Sequence, residues 1–422
     1  MSKVGLALAL ALLAAPAAAQ ESALASARAT ARANPNDPNA SIALGRALRR
    51  AGRDAESIAE LRRGAATFAG RQPAAAIKLH YELARTYIAK RDFSQATVEC
   101  RVAAAQTGGA AEGHACAAEA DLLWKRATDA VTELQNAGRT YDAKVAEGRA
   151  LALQLKDAQA EAAFRDAMTI DPAGAEPHLH LGSFWASTGK VDQGVAELKR
   201  AVELDGTNPD ALYELGRWLP AGQDAVGALE KATRERPSFL DAWVKLAEVD
   251  LALGKSAEAA TAAAAALRIN AQDASAHVIV GRVALEGGKP DDALREARAA
   301  LGVLATSAPA KLLLADTYAK KGDIDLALEQ YQAAYGLDRQ NPDILVHATQ
   351  ACIKAGRLTS ARAYATTATR DFATFGPAWV ALGDALAADG DSSGARTAYT
   401  KALSARGPVD ATAVRAKIAA LH

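Results

Sequence analysis

Residues 175–208 read AEPHLHLGSFWASTGKVDQGVAELKRAVELDGTN, and this stretch of 34 residues decides the fold. Leu181-Gly182 sits in the middle of one helical pattern, and Trp185 follows at helical spacing. Thr188-Gly189 makes a turn, after which Gly194, Leu198 and Ala201 mark a second helical pattern. Leu215-Gly216 stands 34 residues after Leu181-Gly182, so the pattern begins again. Two helices of this length cannot bury their apolar faces alone, and stacked neighbours must do it.

The phase persists in both directions. Leu246-Ala247, Val280-Gly281, Leu314-Ala315 and Leu382-Gly383 keep it toward the C-terminus. Leu44-Gly45, Leu83-Ala84, a weaker Ala117-Ala118 and Gly148 keep it toward the N-terminus. One unit is short: Leu215 and Ala225 are ten residues apart, where Leu181 and Gly194 are thirteen. Pro220 lies in that gap and cannot donate into a helix, so the first helix of the unit should stop by about Leu219. The expected organisation is a capping helix or half repeat over 20–37, an array of about eleven repeats over 38–408, and a capping helix over 409–422.

Composition agrees with an all-α chain. Alanine is abundant, aromatics are 5%, and helix formers fill most of the 422 positions. Forty-nine basic residues balance 49 acidic ones. That balance argues against a nucleic-acid partner and gives no reason to expect an anionic membrane surface. Residues 1–19 differ from the rest. Lys3, the apolar run Val4–Leu13, Pro16 and Ala17-Ala18-Ala19 read as a secretory signal cleaved before Gln20, too short to span a bilayer. The expectation is an exported chain, periplasmic in a Gram-negative, GC-rich bacterium, with no membrane insertion after cleavage. In such a compartment Cys100 and Cys116 could pair, since they fall on consecutive helices. Cys100 also occupies a core position, which favours a buried thiol instead, and Cys352 occupies another.

The order of aromatic, Leu-Gly or Leu-Ala, aromatic, Gly, Ala, aromatic, Ala and Pro resembles the tetratricopeptide repeat over almost the whole mature chain. The resemblance implies an α-solenoid, a right-handed superhelix with first helices lining a concave groove and second helices on the convex back. It also implies that the fifth and ninth positions of each first helix face inward. The fifth positions are apolar: Ile42, Tyr81, Ala115, Val145, Leu179, Tyr213, Val244, Val278, Leu312, Val346 and Val380. The ninth include Arg46, Arg85, Arg149, Arg217 and Arg282, turning to Asp316 and Asp384 near the end. Within residues 175–208 only Leu179 and Ser183 are expected to face the groove. The competing reading packs the apolar residues between helices and pairs the arginines with Glu. Family members that grip a C-terminal carboxylate use Lys at the fifth position and Asn at the ninth, and this chain has neither.

No catalytic signature stands in the sequence: there is no H-E-x-x-H, G-x-S-x-G, P-loop or dinucleotide-binding glycine pattern. His178 and His180 face different ways on a helix. His80, His114, His178 and His277 occupy the repeat position held elsewhere by Trp243 and Trp379, so a shared packing role is expected and no metal. Asp389–Gly394 imitates the start of a calcium loop but lacks its twelfth-position Glu, and reads as an ordinary turn. Trp185, Trp243, Trp379 and Tyr399 read as core. The chain is therefore expected to be a non-enzymatic scaffold without cofactors that binds a protein partner in its groove, within an envelope assembly, secretion or polysaccharide-export machine. A periplasmic holdase for unfolded or apo-protein clients is the alternative, and an inactive accessory module of a glycan-handling complex is a third.

Overall fold

The structure is a computed structural model and describes residues 21–106 and 110–421. The signal reading of residues 1–19 and the cleavage before Gln20 lie outside the described residues. Apart from an isolated bridge between Phe375 and Arg406, the regular elements among the described residues are helices. They fall into two compact units, Met1–Gly206 and Thr207–His422.

In the first unit, α1 (residues 21–33) precedes five helix pairs. These are α2 (Pro38–Arg50) with α3 (Asp54–Phe68), α4 (Pro73–Ala89) with α5 (Phe93–Ala104), α6 (Ala110–Leu123) with α7 (Ala127–Ala137), α8 (Tyr141–Leu153) with α9 (Asp157–Ile170), and α10 (Ala175–Ser187) with α11 (Val191–Leu204). The second unit has six pairs. They are α12 (Pro209–Trp218) with α13 (Gln223–Glu235), α14 (Leu240–Ala252) with α15 (Ser256–Ile269), α16 (Ala274–Glu286) with α17 (Pro290–Val303), α18 (Ala308–Lys321) with α19 (Ile324–Leu337), α20 (Pro342–Lys354) with α21 (Leu358–Asp371), and α22 (Gly376–Ala388) with α23 (Ser392–Ser404). Helix α24 (Ala411–Ala419) closes it. This is the α-solenoid that the period of 34 implies.

Local chemistry sets the ends. Pro38, Pro73, Pro209 and Pro342 open first helices, where a missing N–H costs nothing, and the side chains of Asp37, Asn208 and Asn341 cap three of the four. Helix α12 stops at Trp218, two residues before Pro220, with Leu219 already extended. The turns inside the pairs, except the short one between α12 and α13, use a left-handed residue, which Gly189 (φ 90°) and Gly322 (φ 90°) supply without strain. Asp389–Gly394 is such a turn: Gly390 has φ 84°, and the Asp391 side chain accepts from the Gly394 N–H to cap α23.

The core runs between layers. Leu61, Phe164 and Leu198 in the first unit, and Leu229, Leu313 and Tyr331 in the second, are fully buried. Small residues let helices meet: a Cβ on Gly194 would stand 2.6 Å from the Gly182 carbonyl oxygen. Neighbouring first helices touch, α2 on α4, α4 on α6, α6 on α8 and α8 on α10 in the first unit, and α14, α16, α18, α20 and α22 successively in the second. Second helices make no comparable row. Each unit therefore fans around its first helices, which line its inner face.

Two expectations need correction. Cys100 and Cys116 are joined by a disulfide tying α5 to α6, with Cα atoms 5.5 Å apart, so Cys100 is buried as a half-cystine and not as a thiol. Only Cys352 is free among the described residues, and burial pushes its thiol up to about 11. Of the four aromatics read as core, Tyr399 is fully buried, and Trp185, Trp243 and Trp379 pack against the core from its edge. Trp185, Trp243 and Trp379 are half-buried because each indole N–H needs an acceptor near the surface: Glu161, the Pro237 carbonyl and the Ala373 carbonyl respectively.

Candidate functional site

On the inner face of the first unit the apolar fifth positions are mostly consumed by packing. Ile42, Ala115, Val145 and Leu179 are buried between helices, and Tyr81 is half-buried. Ser183 Oγ is enclosed and has no hydrogen-bond partner. What this face offers to solvent is charge.

The charge is densest around Glu82, one residue past Tyr81. Arg46 Nη2 lies 2.7 Å from Glu82 Oε1, and Arg85 Nη1 lies 3.1 Å from the same oxygen. Arg49 Nη1 stands 3.2 Å from Glu82 Oε2 and also donates to the Glu82 backbone carbonyl. The Glu82 side chain is only 3% exposed. Burial by itself would raise its carboxyl, but the Arg46 hydrogen bond and the charges of Arg85 and Arg49 outweigh burial and hold it below the usual range. Arg46 and Arg85 remain largely exposed. One carboxylate serves three guanidinium groups, so the cluster carries a formal charge of +2, and Arg85 also acts on the Glu176 carboxyl.

Further along the same face Arg149 approaches Glu119 at 3.7 Å. Glu176 keeps access to solvent but has protein on several sides. That loss of water raises its carboxyl, Glu119 and Asp142 add to the rise, and Arg149 and Arg85 oppose it. His180 stacks on Phe164 with ring centroids 6.2 Å apart, and burial, helped by the Arg149 charge, pushes it down to about 3. His178 points the other way and bonds Glu197 on α11 at 2.6 Å. The H-x-H pair is thus split between two unrelated contacts.

The second unit is built differently. Val278, Leu312 and Val346 are buried, and Tyr213 is half-buried against Phe239 at 4.9 Å between centroids. Arg217 pairs with Glu214 at 3.3 Å and lies over the Trp218 ring, while Arg282 forms no ion pair among the described residues. The acidic ninth positions are committed internally. Tyr331 donates to Asp316 at 2.6 Å, with His347 Nδ1 at 3.0 Å, and Tyr399 donates to Asp384 at 2.6 Å, with Lys417 also at 2.6 Å. Lys417 belongs to α24, whose Val414 stands 34 residues after Val380 and is buried. The terminal helix therefore continues the row of first helices and covers the end of this face.

The arrangement holds its charged groups mainly in ion pairs. Among the described residues no group of three His, Cys, Asp or Glu is placed to hold a metal, and no helix is long and apolar enough to cross a membrane. The sequence reading missed Glu82 and Glu176, while it named His180 only as half of an H-x-H pair facing another way from His178. Glu82 had a signal, since Glu82 and Arg85 are three apart on one helix and Arg46 precedes them by one repeat; Glu176 lies outside the fifth and ninth positions and carried none.

Tetratricopeptide repeat models match residues 222–274 and 281–342, and a second such model matches residues 318–382. No curated protein matches the chain. Among solved structures the chain is similar to yeast Tom70, at 12% identity over 92% of this chain and 96% of that one, with a TM-score of 0.47. It is also similar to pilF of Pseudomonas aeruginosa, at 19% identity over 50% of this chain and 95% of that one, TM-score 0.43. A thermophilic repeat protein of Thermus thermophilus is 25% identical over 43% of this chain and 100% of that one, TM-score 0.37.

Proposed function

We propose that this chain, which belongs to the tetratricopeptide repeat family, is a non-enzymatic scaffold of the bacterial cell envelope that binds an acidic segment of a protein partner on the inner face of its first unit. The observation that carries this reading is the convergence of Arg46, Arg49 and Arg85 on the single carboxylate of Glu82. Repeats of this family make protein–protein interaction scaffolds in general. Planar guanidinium groups take carboxylates in a bidentate fork, and here two of them point into solvent already desolvated on one side.

Export to the periplasm is supported by the sequence of residues 1–19 and by the Cys100–Cys116 disulfide, which persists in an oxidising compartment. A defined partner is favoured over a holdase because Ile42, Val145 and Leu179 are buried, leaving little apolar surface on this inner face to hold an unfolded client. The test is crosslinking and mass spectrometry from the native envelope with the wild-type chain and an Arg46→Glu/Arg85→Glu variant. One defined complex that the variant loses is the expected result. Equal capture by both, or a broad spread of unrelated clients, would refute the reading.

A further inference from the structure

The left-handed turn position inside the helix pairs is glycine in seven of them: Gly52, Gly189, Gly254, Gly288, Gly322, Gly356 and Gly390. In the second, third and fourth pairs it is Arg91 (φ 60°), Lys125 (φ 62°) and Leu155 (φ 57°). A side chain with a Cβ is strained there, and the strain recurs in three consecutive pairs of the first unit. Leu155 contributes nothing to the core in return, because it is 86% exposed. Its neighbour Leu153 is 59% exposed and Trp124 is 42% exposed. The turns of the third and fourth pairs are adjacent in space: the Gln154 side-chain amide donates to the Ala127 carbonyl at 3.3 Å.

The charges around these tips are unevenly paired. Arg91, Lys125 and Lys156 form no ion pair among the described residues. Asp92 accepts from the Gln95 N–H to cap α5, Asp129 is held by Arg126 and Asp157 opens α9, so along these tips the five cations Lys90, Arg91, Lys125, Arg126 and Lys156 stand against three acids. A net charge of zero over the whole chain averages this edge away. The apolar groups protrude from turn tips instead of lining a concavity, and the Arg126 guanidinium lies over the Trp124 ring, 4.8 Å from its centroid. Protruding Trp and Leu ringed by cations suit a flat apolar boundary under anionic headgroups.

We propose that this edge of the first unit rests on an anionic lipid surface, with Trp124, Leu153 and Leu155 entering the headgroup boundary and Arg91, Lys125 and Lys156 meeting lipid phosphates. It is a second surface, independent of the Arg46–Glu82–Arg85 face, and does not rest on the partner reading above.

The chain lacking residues 1–19 is floated with phosphatidylglycerol–phosphatidylcholine vesicles and with pure phosphatidylcholine vesicles. Binding to the anionic vesicles alone is expected, weakening as salt is raised. Lys125→Glu/Lys156→Glu lowers it about fivefold or more for each cation. Leu153→Ser/Leu155→Gly lowers it about tenfold or more, and the Gly relieves the left-handed strain, so this variant folds at least as well at that turn. Absence of binding to anionic vesicles, or binding unchanged in either variant, overturns the proposal. Equal retention on neutral vesicles overturns the role given to the cations, and capture of a protein through this edge without vesicle binding overturns the lipid assignment.

Discussion

The Nδ1 of His178 lies 2.6 Å from a carboxylate oxygen of Glu197, and the same pair recurs with the same spacing of nineteen at His80–Glu99, His114–Glu133 and His277–Glu296. An ionised carboxylate only accepts, so each ring donates through Nδ1 and ties a first helix to its second. Two other pairs carry Trp at this position. Trp243 and Trp379 donate to carbonyls six residues back, at 2.9 and 2.8 Å, and His277 Nε2 lies 3.1 Å from the Ala271 carbonyl, also six back. Histidine and tryptophan are alternative ways of fixing the same helix start.

That equivalence predicts an order of variants. His277→Trp places an indole N–H toward the Ala271 carbonyl, as Trp243 and Trp379 do in their pairs, and gives up Glu296, whereas His277→Ala gives up both contacts. The alanine variant should lose about 1–2 kcal/mol and the tryptophan variant less than about 1 kcal/mol, read from urea midpoints. Equal losses would mean that the Ala271 bond contributes nothing.

Close packing predicts a contrast between glycines. A Cβ on Gly194 would lie 2.6 Å from the Gly182 oxygen and 2.7 Å from the Ala186 nitrogen, both backbone atoms that cannot step aside. Gly194→Ala should therefore cost roughly 1–3 kcal/mol. Gly227, within α13, has nothing within 4 Å of its would-be Cβ. Gly227→Ala should stabilise by about 0.5–1 kcal/mol through helix propensity. Thermal unfolding of the two single variants checks the opposite signs.

These examples mark where the sequence was legible. The recurrence of Leu-Gly and Ala at 34 residues reflects layers that must each bury the same face, so repeat number and pairing could be read directly. The fate of the fifth positions could not, since an apolar residue on an inner face is equally suited to a partner or to the next helix. Ile42, Val145 and Leu179 went to the next helix. Asp316 and Asp384 looked like a free acidic end because their partners Tyr331 and Tyr399 lie fifteen residues away on second helices, beyond any within-helix rule. Cys100 misled for a similar reason: a half-cystine and a buried thiol fill the same core position.

Acid should destabilise the first unit through His180. The folded chain holds this ring neutral, its pKa pushed down to about 3 by burial and by Arg149. As pH falls from about 6.5 the unfolded chain takes up a proton that the folded chain refuses, at a cost of at most about 1.4 kcal/mol per pH unit. His347 acts in the opposite sense. Its bond to Asp316 raises its pKa against the effects of burial and Arg282, so its contribution is complete below about 6.5 and disappears as pH rises through the raised value. The ring is well exposed, so this second effect is small. Denaturant midpoints from pH 4 to 8 should show that His180→Phe flattens the acid branch, while an unchanged acid branch would remove His180 as its source.

The disulfide closes a loop of sixteen residues, so Cys100→Ala/Cys116→Ala should cost about 3 kcal/mol in the first unit. Thiol titration in denaturant should count one reactive group, Cys352, before reduction and three after. Three before reduction would contradict the pairing.

The central claim is that the inner face around Arg46, Glu82 and Arg85 is where a partner sits. Its most direct test is photocrosslinking from position 81, between these groups, compared with position 98 on a second helix of the same unit. The account predicts that crosslinks from position 81 join one partner through a segment rich in Asp and Glu, and that Arg46→Glu/Arg85→Glu abolishes them. Crosslinks from position 98 alone, or crosslinks from position 81 that survive the charge reversal, would contradict it.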